Sequence, residues 1–241
     1  MIKALAACLL LAIAGCSQLP APPPADHAAQ ARAHYANART YLARGDRTLG
    51  LAELRLAIAL DARPEYLIAR GHVLAELNLP DRAMADFDQA LAETPDDAWG
   101  LFNRSMILLA RRQFDAAQAD SDRAITLKPD DARLLGGRCV IGVARGEPAG
   151  AALAFCEQAL ARPRPANAYT ARGMAHLLLG RDQEALADFN AALADHPGHM
   201  RALYGKGLAR TRLGDRAGGE ADMTEALRRL PGAAREFISG S

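Results

Sequence analysis

Cys139 and Cys156 lie seventeen residues apart in the middle of the chain. Two thiols at that distance can form a disulfide, act as a redox couple or pack as small apolar groups. A redox couple works best at the C-x-x-C spacing, which this pair lacks. The disulfide and the buried free thiols remain as readings. Other groups carry less. His196 and His199 flank Pro197-Gly198, and two histidines without a third ligand do not make a metal site. Asp120 and Asp122 bracket Ser121, but on a helix their carboxylates diverge. Gly218-Gly219 falls inside a helical pattern and not in a phosphate loop. No serine or cysteine stands at motif spacing from a histidine and an acid. The residue types therefore point away from catalysis, and neither a cofactor nor a metal is expected.

A second set of charges is regular. Asp86, Asp120, Asp188 and Asp222 each follow a basic residue, Arg70, Arg104, Arg172 or Lys206, by sixteen positions. The arginine fork can grip a carboxylate with two bonds. These pairs read either as structural ion pairs between two antiparallel helices or as two separate polar stripes.

That regularity belongs to a longer one. Pro95, Pro129, Pro163, Pro197 and Pro231 are each thirty-four residues apart. A small residue follows each basic position at Gly71, Ser105, Cys139, Gly173 and Gly207. Further small residues recur at Ala83, Ala117, Ala185 and Gly219, and at Ala90, Ala124, Ala192 and Ala226. Phe87, Ser121, Phe189 and Met223 precede the latter set by three. Within a unit the apolar residues follow helical spacing, and Gly180-Arg181-Asp182 or Gly214-Asp215 interrupts it midway. Proline then ends the second helix. A fixed period of this length means one supersecondary unit copied along the chain.

The series Tyr169, Gly173, Gly180, Ala185, Phe189, Ala192 and Pro197 resembles the tetratricopeptide repeat (TPR) pattern. The resemblance covers residues 31–233 as six units: 31–63, 64–97, 98–131, 132–165, 166–199 and 200–233. It implies an all-α, right-handed superhelical solenoid of about six helix-turn-helix units. A short cap over 234–241 would close it, with Phe237 and Ile238 over the last unit. The first unit is degenerate, with Ala62 where a closing proline belongs.

The family lines its concave face with the first helix of each unit. At that spacing this chain offers Tyr35, Arg39, Ile68 and His72, then Trp99, Phe102, Asn103 and Met106. Val140 and Val143, Met174 and Leu177, and Tyr204 and Leu208 follow. Of the lysines and asparagines with which some members grip a peptide C-terminus, only Asn103 fits. The expected surface is a largely apolar, Met-containing trough suited to an amphipathic or apolar segment. The alternative is that many of these side chains pack between helices.

The fourth unit is the odd one. Ala154-Phe155 stand where the second-helix aspartate belongs, and its turn, Arg145 to Gly150, carries one extra residue. With that residue allowed for, Cys139 and Cys156 reach nearly the height of the ion pairs elsewhere. In an oxidising compartment a disulfide there would replace the missing pair.

The compartment is suggested by the N-terminus. Met1-Ile2-Lys3, an apolar run from Ala4 to Ala14 and then Gly15-Cys16 describe a secretory signal, too short for a membrane-spanning helix. Ile13 to Cys16 resembles a bacterial lipobox, which implies a signal over 1–15 and lipidation of Cys16. Ser17, in place of aspartate, implies sorting to the outer membrane. Pro-rich residues through 16–30 would form an extended tether. Without Lys3 the chain carries 28 basic and 28 acidic residues, a balance that argues against nucleic acid. The reading is a lipid-anchored periplasmic adaptor for cell-envelope proteins, such as pilus or secretion assembly components. A spacer without a concave ligand, and a small-ligand carrier or enzyme, are the alternatives.

Overall fold

The computed structural model describes residues 26–163 and 166–234. Among them are twelve α-helices, one closing 3-10 turn and no strand. The helices form six consecutive antiparallel pairs. They are α1 (His27–Ala43) with α2 (Arg47–Leu60), α3 (Pro64–Glu76) with α4 (Pro80–Glu93), and α5 (Ala98–Ala110) with α6 (Phe114–Leu127). Then follow α7 (Ala132–Arg145) with α8 (Ala149–Leu160), α9 (Ala166–Leu178) with α10 (Asp182–Asp195), and α11 (Met200–Arg212) with α12 (Arg216–Arg229). The 3-10 turn spans Pro231–Ala234. Cys16, Phe237 and Ile238 lie outside the described residues.

Local chemistry sets the boundaries. The carboxylates of Asp26, Asp46, Asp97, Asp131 and Asp215 accept from backbone N–H groups in the first turns of α1, α2, α5, α7 and α12. Capping by Asp26 starts α1 at His27, so four residues of the stretch expected as tether are helical. Each second helix that meets a proline directly stops on a residue with non-helical dihedrals: Thr94, Lys128, His196 and Leu230. A residue before proline is sterically pushed out of the helical region. Every turn inside a unit contains one left-handed residue, at Gly45, Asn78, Arg112, Gly146, Gly180 and Gly214. Four are glycine; Asn78 and Arg112 hold φ of 60° with a side chain, a conformation that costs an L-residue roughly 1–2 kcal/mol.

Packing inside a pair repeats one contact. The ring of Phe87 lies on Gly71 so closely that a Cβ there would come within 2.6 Å of it. Phe189 lies on Gly173 in the same way, at 2.8 Å, and Met223 on Gly207, at 2.7 Å. In the third unit Ser105 and Ser121 hold these positions, and both are buried. In the fourth, the position is filled by the Cys139–Cys156 disulfide, with a Cα–Cα distance of 5.5 Å. Neither cysteine is accessible. The disulfide thus replaces the Gly–Phe contact, not an ion pair. The extra residue of this unit lengthens α7 by one position, which carries the second cysteine into the phenylalanine's place.

The ion pairs bridge the same two helices, with the carboxylates of Asp86, Asp120 and Asp188 buried. Arg70 Nε and Nη2 donate to both oxygens of Asp86 at 2.8 and 2.6 Å. Arg104 grips Asp120 at 2.7 and 2.9 Å, and Arg172 grips Asp188 at 2.9 and 2.7 Å. Lys206 stands 3.6 Å from Asp222, whose closer partner is Arg210 at 2.7 Å. Arg138, in the unit without the aspartate, is not left over. It donates to Asp122 at 2.6 Å and to both oxygens of Glu147 at 3.1 and 2.9 Å. Arg104 also reaches back to Asp88 at 3.0 Å and Arg172 to Glu157 at 2.8 Å. The three middle arginines therefore join their own unit to the second helix of the unit before.

Candidate functional site

First helices of successive units stand side by side along the concave face. Residues in phase with the repeat converge there: Trp99, Arg133, Asn167 and Arg201 in the first turns, then Asn103, Gly137 and Ala171, then His72, Met106, Val140 and Met174. Together with Phe102, Gly136, Thr170 and His199, most of these line one cleft spanning five of the six units. Its floor is apolar and its rim is polar, with two cations, Arg133 and Arg201.

The cleft is narrow, with a cavity volume of about 60 Å³, against the roughly 300–1,000 Å³ of a small-molecule pocket. Small side chains cause the narrowness. A Cβ on Gly137 would meet the Phe102 ring at 2.6 Å, and one on Gly136 would meet Ala171 Cβ at 2.9 Å. Neighbouring first helices therefore approach closely and the floor is shut. Of the residues expected to line an open trough, Phe102, Met106, Val140, Val143, Met174 and Leu177 are all at most 8 % exposed. This corrects the expectation of an open apolar groove: these side chains pack between helices. Leu177 and Tyr204 do not line the cleft. Leu177 is core, and its carbonyl accepts from Arg212 Nη1 at 2.7 Å. Tyr204 packs with Met200, Leu230 and Ala233 beneath the closing turn. Tyr35 lies 4.6 Å from Tyr66 between centroids, the rings tilted, in the core between the first and second units.

Trp99 is half-buried and held in place. Its ring meets Phe102 edge-on at 6.0 Å, with the Arg133 guanidinium 4.3 Å above it and Lys128 Nζ at 5.6 Å. Asn103 donates to the Trp99 carbonyl at 2.8 Å and faces His72 Nδ1 at 3.2 Å. His199 caps α11 by accepting from Ala202 N–H at 3.2 Å, while its Nε2 lies 2.8 Å from Asn167 Oδ1. His196 stacks edge-on against it at 6.0 Å.

At one edge of the cleft Glu76 collects charges from three elements. Arg47 Nε donates to it at 3.0 Å, His72 Nε2 lies at 3.7 Å and Arg201 Nη2 at 4.0 Å. Burial against the cleft wall pushes the His72 pKa down, and Arg201 and Arg133 add to this against the pull of Glu76. Burial raises the Glu76 carboxyl, but His72, Arg201 and Arg47 together outweigh it and hold it below the usual range. No motif marks this cluster in the sequence. Arg133, Asn167 and Arg201 stand one helical turn before the trough positions, in phase with Trp99, and that phase is the available signal. Among the described residues no group of His, Cys, Asp and Glu could hold a metal, and no helix is long and apolar enough to cross a membrane.

Six stacked helix hairpins with a shared concave face define a solenoid repeat protein. The chain belongs to the tetratricopeptide repeat family, whose profile matches residues 102–168, 143–198 and 170–234. Such repeats are protein-interaction modules. No curated protein matches the sequence. Among solved structures, TTC0263, a thermophilic TPR protein of Thermus thermophilus, shares the fold at TM-score 0.62 and 22% identity, covering 76% of this chain and 98% of that one. PilW, a widely conserved type IV pilus biogenesis factor, superposes at TM-score 0.60 and 19% identity, covering 86% and 96%. Pseudomonas aeruginosa pilF gives 0.55 and 18%, covering 87% and 96%.

Proposed function

We propose that this chain is a lipid-anchored adaptor of the bacterial cell envelope. Cys16 carries the lipid, Ser17 directs the protein to the outer membrane, and the repeats face the periplasm. It gathers protein partners of an envelope assembly, of the kind that pilus or secretion systems need, and performs no chemistry itself. The observation that carries this reading is the cleft built in phase by the first helices of five units, apolar below and with Arg133 and Arg201 in a polar rim. The fold shared with a pilus biogenesis factor over nearly its whole length supports it, as does a disulfide suited to an oxidising compartment. The partner segment carries acidic groups, which meet Arg133 and Arg201 at the rim of the cleft.

Capture from envelope extract tests the proposal. The bait is the full chain beside an Arg133→Glu/Asn167→Asp variant of matched helical content. A partner retained by the first and lost by the second supports a concave site. Equal capture moves the site elsewhere. Substitution at Phe102 or Met106 would disturb the core instead. Replacement of Cys16 by serine should release the protein from the membrane fraction and abolish palmitate labelling. The narrowness of the cleft favours a second reading, a spacer without a concave ligand, which predicts no partner for either bait.

A further inference from the structure

The second helices of units two, three and four each hand an acid to the unit that follows. Asp88 of α4 meets Arg104, Asp122 of α6 meets Arg138, and Glu157 of α8 meets Arg172. The first unit does the opposite. Arg55 of α2 precedes Asp88 by thirty-three residues, as Gly45 precedes Asn78 and Ala57 precedes Ala90, so an arginine holds the acid's place. The one acid of α2, Glu53, is turned to His34 and Asn37 of α1. Between α2 and α4, over the joint with α3, a groove of about 330 Å³ stays open, lined by Arg55, Arg70, Leu74, Arg82, Ala85 and Asp86.

Three guanidinium groups thus share one carboxylate. Asp86 is occupied by Nε and Nη2 of Arg70. In Arg104 and Arg172 the remaining Nη1 takes the acid of the unit before. In Arg70 that nitrogen has no hydrogen-bond or ion-pair partner among the described residues, and neither do the exposed side chains of Arg55 and Arg82. Asp81 and Asp88 of α4 are taken by Arg111 and Arg104. The junction of units five and six differs: Asn190 holds the acid's place there, and Arg210 is bound to Asp215 and Asp222. Arginine forks favour carboxylates, which they grip with paired bonds. We propose that the groove is a second docking site, which takes an aspartate or glutamate side chain from an acidic segment of a partner protein. That carboxylate sits where Asp88, Asp122 and Glu157 sit in the later units, between Arg55 and Arg70 with Arg82 beside it. The site is built on second helices and does not depend on the concave cleft, so the two fail separately.

The probe is a dye-labelled, alanine-based peptide with glutamates one helical turn apart, beside its glutamine counterpart. Binding to the full chain is read by fluorescence anisotropy, and folding by helical circular dichroism. The glutamate peptide should bind and the glutamine peptide should not. Arg55→Glu restores the acid found in the later units and lets Arg70 pair within the chain. It should keep the helix and weaken the glutamate peptide roughly tenfold, the loss of one charge-assisted hydrogen bond. Arg82→Ala should weaken it by less, and it decides if Arg55→Glu loses helix. Arg133→Glu, at the concave rim, should leave this binding in place. A loss in Arg133→Glu with none in Arg55→Glu would assign the peptide to the cleft and overturn the groove. Equal losses in both would mark a general effect of charge and overturn it too. So would no binding of the glutamate peptide, or Arg55-dependent binding of inorganic phosphate alone.

Discussion

Units four and five solve one packing problem with different chemistry. Both must hold two antiparallel helices together at the same depth. Unit five lays the Phe189 ring on Gly173, and a Cβ on Gly205 of the next unit would meet that ring at 2.4 Å. One side chain therefore binds three helices. Unit four joins Cys139 to Cys156 covalently and binds two. The aromatic contact is shared between units and depends on volume; the disulfide is local and depends on redox conditions.

The largest expected effect comes from breaking the shared contact. Phe189→Ala should cost about 4 kcal/mol, as large aromatic truncations in cores do, and should loosen unit six along with unit five. Urea denaturation with hydrogen exchange resolved by helix checks both parts. Removing the covalent joint comes next. Cys139→Ala/Cys156→Ala, or reduction after partial unfolding, should cost roughly 3 kcal/mol in the chain-entropy account, with exchange rising mainly in α7 and α8. A loss spread evenly over units four and five in both variants would erase the distinction. A smaller change of opposite sign is expected at the turn of unit three. Arg112→Gly should raise stability by about 1 kcal/mol, because the left-handed conformation there costs a side chain more than glycine. Denaturant midpoints of the two chains check it.

The smallest effect is with pH, and it also separates the units. Burial lowers the pKa of His176 in unit five and of His72 in unit two below the ordinary histidine value of 6.5. A base whose folded pKa is depressed binds fewer protons folded than unfolded, so stability falls as pH drops below about 6.5. Glu76 is held low and adds a loss in the same direction below the ordinary carboxylate range. The disulfide does not titrate. Protection against exchange, measured between pH 7 and 5, should therefore fall in α3 and α9 before α7 and α8.

Periodicity made the fold readable. Five prolines in phase fixed the ends of second helices, and the glycines at 180 and 214 marked the turns. The sixteen-residue interval located the Arg–Asp grips, because antiparallel helices around a short turn bring those positions to one height. Two things were not legible. The destination of Arg138 was obscured because its acids lie outside its own second helix, at Asp122 behind and Glu147 in the turn. The closure of the trough was obscured because curvature is a sum over units: Gly136, Gly137 and Ala171 each allow a little more approach, and only the assembled solenoid shows that the floor is shut. The polar rim went unread for a related reason, since Arg133, Asn167 and Arg201 matter only once five units face one another.

The arginines that reach backward give the array an internal boundary condition. Arg104, Arg138 and Arg172 each couple a unit to its predecessor, whereas the positions sixteen before Arg70 and Lys206 hold Leu54 and Asn190, which carry no charge. In a one-dimensional chain of repeats, stability is a sum of unit terms and nearest-neighbour terms. The backward grips, each on a largely exposed acid, add only small terms to the interior junctions, whereas Phe189 against Gly205 ties the last unit to the fifth through packing. The last unit therefore melts with the fifth and not ahead of it.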